Sequence, residues 1–122
     1  MSNVEAGRLR HKVTLQERVD LVDSNGDAIQ DQNGQQEYIW QTVAEIWAAV
    51  EALSAREFIA AQTTESKVVA RITIRYRQDL NYSMRILFRG KVYNIEGVLP
   101  DKYSGLEYIT LPVSYGINDT AE

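Results

Sequence analysis

His11 is the only imidazole in 122 residues, and cysteine is absent. The side chains that most often serve as nucleophile, general base or soft metal ligand are therefore almost missing. A serine nucleophile needs a base that is itself oriented by an acid, whereas His11 stands between Arg10 and Lys12 in a basic segment and reads as a surface residue. Seventeen carboxylates supply many acid pairs, but their spacing singles out none for acid–base work. No glycine-rich phosphate loop occurs. The nearest approach to a metal site is Asp23-Asn25-Asp27, which resembles the start of a calcium loop. Its sixth position is Ala28 and its twelfth Gly34, so the turn glycine and the bidentate acid are both lacking. The expectation is no catalytic residue, no cofactor and no metal.

A second chemistry is nucleic-acid binding. Arg71, Arg75 and Arg77 on one strand, with Tyr76, Tyr82 and Tyr93 nearby, could form an OB-like surface on which bases stack and cations follow phosphates. Tyr76 and Tyr93 share the inward phase of their strands with apolar neighbours, however, and the net charge is −4, opposite to the basic field of such modules. This remains a secondary reading.

The elements that would position these residues follow from periodicity. Trp40 to Ala61 changes period in its middle: Ala44, Ile46, Ala48 and Val50 alternate against Glu45, Trp47 and Glu51 as in a strand. Ser54 and Glu57 then form a capping box that opens a helix over 54–62, with Phe58, Ile59 and Ala61 available for packing. A first strand is expected over 12–17, a clear strand over 68–76, and a hairpin of 84–88 with 91–98 turning at Arg89-Gly90. A last strand over 106–113 carries Pro112, which places its end at a sheet edge. Residues 20–37 hold two Asn-Gly pairs and five acids and read as a long exposed loop, with a fragile hairpin turning at Asn33-Gly34. Residues 1–7 and 118–122 read as flexible ends. The sum is a mainly β, single-domain chain: a small antiparallel β-barrel of about six strands, with one short helix covering one opening.

Composition narrows the setting. The longest unbroken apolar run has five residues, Ile46 to Val50, far below the ~18 or more of a membrane helix, and the N-terminus does not read as a signal peptide. The lack of cysteine fits a reducing cytoplasm. Charge alternates in blocks: +2 over 1–18, −8 over 19–66, +6 over 67–91 and −4 over 92–122. Such blocks can be ordinary solvated faces, or opposite patches that meet head to tail between subunits of a ring.

Three stretches together resemble the head-tail joining proteins of long-tailed phages, the head-closure, head-completion or stopper subunits. GRLRHKVTLQ is similar to that family's opening. WQTVAEIWAAVEALSAREFIAAQ is similar to its strand-to-helix join, and ARITIRYRQDLNYSMRILFRGKVYNIEGV to its long strand and following hairpin. The 20–37 segment and the Pro112-Val113 ending depart from the pattern. The resemblance implies a non-catalytic virion protein at the head-tail interface, assembled in the host bacterial cytoplasm. It would form a self-associated ring that contacts portal, adaptor and tail proteins and encloses DNA without sequence-specific binding, with no membrane involved. A tail-completion or tail-terminator subunit is the alternative.

Carried to this sequence, the expected subunit contacts are Arg8, Arg10, Trp47, Glu51, Arg56, Glu57, Arg71 and Arg75. The expected channel loop carries Asp20, Asp23, Asp27, Asp31 and Glu37; its acids would repel DNA rather than grip it.

Overall fold

Val13 and Leu15 are buried on one side of β1 (His11–Asp20) while Lys12 and Arg18 are exposed. The same alternation, repeated along the chain, builds the molecule. The computed structural model describes residues 9–102 and 104–116; Arg8 and the expected flexible ends lie outside them. The remaining elements are β2 (Tyr38–Ala52), α1 (Ala55–Thr63), β3 (Ala70–Arg75), β4 (Arg85–Phe88), β5 (Lys91–Ile95), β6 (Leu99–Pro100) and β7 (Tyr108–Tyr115).

The strands run in the order β3-β2-β1-β4-β5-β7-β6, and β3 also pairs with β7. That last ladder closes a six-stranded antiparallel barrel, with β6 a short addition on β7. Ile72, Ile74, Leu15, Ile86, Leu111 and Val113 are each fully buried inside. At ~1.5–3 kcal/mol for each large apolar side chain, their burial dominates the stability of the barrel. Arg89 and Gly90, at φ 52 and 78, make the two-residue hairpin turn whose doubly positive φ matches strand twist.

Four expectations are corrected. α1 has no buried residue, and Phe58 and Ile59 are exposed; apolar content gave the helix a packing face that nothing among the described residues covers. Tyr76 and Leu80, just after β3, do pack against the core. Pro112 does not mark an edge, because β7 is paired on both sides. It sits where β5 leaves β7 at Val113 and β6 joins at Thr110, with its carbonyl accepting from Glu96 N at 2.8 Å, so its missing N–H interrupts no ladder. Finally, Asp20 belongs to β1, paired with Tyr38, and residues 21–37 are not one loose loop.

Candidate assembly surface

β1 and β2 outrun the barrel. β4 pairs with β1 only over Thr14–Gln16, and β3 pairs with β2 only over Ala48–Ala52, whereas β1 and β2 pair with each other from His11–Ala48 to Asp20–Tyr38. The two strands continue beyond a register shift at Leu15/Gln16 as a two-stranded arm.

The arm's end is an eight-residue unit used twice. In Asp23-Ser24-Asn25-Gly26 the Asp23 carboxylate accepts from the amides of Asn25 (2.9 Å) and Asp27 (3.0 Å). In Asp31-Gln32-Asn33-Gly34 the Asp31 carboxylate accepts from Asn33 (2.8 Å) and Gln35 (3.0 Å). Both glycines have the positive φ such turns need, 85° and 82°. Leu21, Ile29 and Glu37, eight residues apart, then close a triangle of backbone bonds: Leu21 N to Glu37 O, Ile29 N to Leu21 O, and Glu37 N to Ile29 O, at 2.8–3.1 Å. Gln36 Nε2 points at all three of these carbonyls, at 2.8, 3.1 and 2.8 Å. The expected single hairpin at Asn33-Gly34 is thus two turns locked by one amide.

The arm's root is a stack of cations and rings. Arg85, 1% exposed, lies 4.1 Å over the Trp40 ring and donates from Nε to Gln16 Oε1 at 2.9 Å. Trp40 meets Tyr38 edge to face at 6.0 Å, and Arg18 lies 4.1 Å over Tyr38. Cation–π contacts of this kind contribute ~0.5–2 kcal/mol each, more when desolvated. They tie the arm to β4.

The residues singled out from sequence fall into three groups. Asp23, Asp27, Asp31 and Glu37 are all exposed on the arm, with Asp23 and Asp31 engaged in its turns. Asp20 is exposed on β1 and paired with Arg18 at 3.0 Å. Arg71 and Glu57, expected to meet neighbouring subunits, meet each other at 2.6 and 3.3 Å. Glu57 also accepts from Ser54 N at 3.0 Å within the capping box. The Arg71 hydrogen bond, then the Ser54 amide, draw the Glu57 carboxyl down from 4.5 to about 2, and the pair fastens α1 to β3. Glu51 faces Arg71 across β2 and β3, and Arg56 is exposed in the first turn of α1.

Trp47 and Arg75 form the third group. Trp47 is 55% exposed, with the Lys12 ammonium 5.1 Å from its ring. Arg75 is exposed beside Tyr108, at 5.8 Å. The two flank a cleft of about 320 Å³, lined also by Glu45, Ile46, Tyr76 and Arg77, where β2 and β3 part. Arg77 itself is neutralised by Asp79 at 2.9 Å. Arg10 is exposed just ahead of β1.

Sequence reasoning missed Gln36, Arg85 and the unequal strand lengths. The repeated Asp-x-Asn-Gly was the available signal for the two turns.

Comparison with protein-family models matches residues 4–115 to the phage head completion protein family. The chain belongs to that family. A structural, head-completing role in the virion follows from membership. Protein SF1141 of Shigella flexneri 2a, solved in solution, is 27% identical, covers 95% of this chain and 100% of its own, and superposes with a TM-score of 0.66. A chain of the native gene transfer agent virion shares the fold at 20% identity and TM-score 0.57, over 88% of this chain and 96% of that one. No curated protein matches.

Proposed function

We propose that this head completion protein closes the DNA-filled capsid as a ring at the head-tail connector, with the arm directed into the channel and the opposite face offered to the tail. The observation that carries this reading is the arm. It is an ordered extension beyond the barrel, and residues 16–42 contain six acids against one base, Arg18. Facing a channel, such a surface would exclude DNA phosphates rather than bind them, because retention by charge needs Lys or Arg. Exposed Trp47 beside Arg75 supports a protein interface, since Trp and Arg are enriched where contacts carry binding energy. The virion setting of the gene transfer agent chain supports a place in a virion particle. Assembly would occur in the host cytoplasm, with portal or adaptor proteins on one side and tail proteins on the other.

The test adds the protein to DNA-filled heads that lack it. The expected result is DNA protected from nuclease and heads able to accept tails. Association with isolated tails and not with heads would instead indicate a tail-completion subunit. Replacing Asp27 and Glu37 by Asn and Gln should change DNA release without affecting assembly, because neither side chain holds a turn.

A further inference from the structure

The sheet leaves two strand edges open beside each other on the arm. Among the described residues, β2 has no strand partner on its β3 side from Tyr38 to Trp47, and β1 has none on its β4 side from Glu17 to Asp20. The β2 edge reads YIWQTVAEIW: rich in β-branched and aromatic residues, with no proline, glycine or lysine. Tyr38, Ile39 and Trp47 are exposed along it. Glu45 is the one charged residue along it. Natural sheets guard a long edge of this kind with several charges, proline or a covering element; one guarded so lightly is a template for another strand.

Charge indicates which strand. Arg75 stands at the foot of the β2 edge, and no carboxylate of the described residues pairs with it. The β1 edge carries Glu17, which likewise has no ion pair among the described residues, whereas Asp20 on the same edge is already held by Arg18. Within one subunit these groups lie on opposite flanks of the arm, so they can meet only between copies. Direction agrees as well. Rotation about a ring axis preserves strand sense, so β1 of the next copy runs antiparallel to β2, as its own β1 does.

We infer that the open β2 edge, with Arg75, receives the β1 edge Glu17–Asp20 of a second copy, joining the arms into one continuous antiparallel sheet around the ring axis. This rests on the ring reading proposed above. The contact is heterologous, so it closes by rotation and leaves no arm edge exposed.

The chain has no cysteine, which makes disulfide trapping clean. E17C is combined in turn with I39C, E45C and W47C, and the protein is bound to connector complexes and mildly oxidised. In their own chain Glu17 faces Gln41, whereas residues 39, 45 and 47 face Val19, Thr14 and Lys12. Intrachain Cα separations are therefore about 8 Å or more, too long for a disulfide. At least one pair should give a ladder of covalent multimers that stops at the ring size. R75E should lower ring occupancy at unchanged melting temperature, and adding E17R should restore it. A ring seen by electron microscopy with no ladder from any pair and no effect of R75E overturns this inference while leaving the ring reading intact. Absence of any ring overturns both.

Discussion

The barrel and the arm share the same two strands, yet opposite interactions hold them. In the barrel, Val13 and Leu15 of β1 are sealed against Ile72, Ile86 and Leu111, and apolar burial does the work. In the arm, scarcely four residues further on, the chain runs in water and order comes from satisfied polar groups: two Asx turns, a triangle of backbone bonds and the Gln36 amide among three carbonyls. The difference teaches that a protein can hold an acidic projection rigid without a core, provided its backbone donors and acceptors are paired locally. The two regions should then fail separately.

The largest effect should come from cutting the barrel. Leu111→Ala should cost about 2–5 kcal/mol in urea unfolding and melt arm and barrel together. Arg85→Met comes next, because it removes both the charged hydrogen bond to Gln16 and the stack on Trp40; about 2–3 kcal/mol is expected from those interactions. Amides of the arm should exchange faster than those of β3. If β3 loosened equally, the root would belong to the barrel rather than join it to the arm.

Gln36→Ala sharpens the comparison further. Its loss should weaken the arm by about 1–2 kcal/mol, accelerating amide exchange at Leu21, Ile29 and Glu37 while the barrel's melting temperature holds. Equal destabilisation of the whole molecule would contradict a locally held arm.

The smallest effect concerns α1. Arg71 and the Ser54 amide lower the Glu57 carboxyl from 4.5 to about 2. The stabilisation is thus fully present above pH 4.5 and is lost as pH falls toward 2. Helical signal should decline over that window with the barrel still folded, and Glu57→Gln should remove the pH dependence.

What sequence revealed was local. The Ser54–Glu57 capping box, the Arg89-Gly90 turn and the inward set Ala70, Ile72 and Ile74 depend on neighbours a few residues away and stand as read, whereas Thr73, expected to face out, is buried. Three features lay beyond that range. The partners of Gln36 come from residues 1, 7 and 15 positions distant, and composition alone shows only a polar loop. The outward face of α1 depends on what lies opposite it, which periodicity cannot supply. Arg71 looked like a surface cation because its partner, Glu57, is 14 residues away on a different element. Among the candidate contacts, Trp47 and Arg75 come together across β2 and β3, but the cleft between them follows from the unequal lengths of those strands.

The most direct measurement is an electron cryo-microscopy map of portal–adaptor complexes mixed with this protein. The account predicts a ring of copies on the connector, with the arms in the channel and turns Asp23–Asp27 and Asp31–Gln35 facing the lumen. Copies bound singly, or a ring whose arms point outward into solvent, would contradict it.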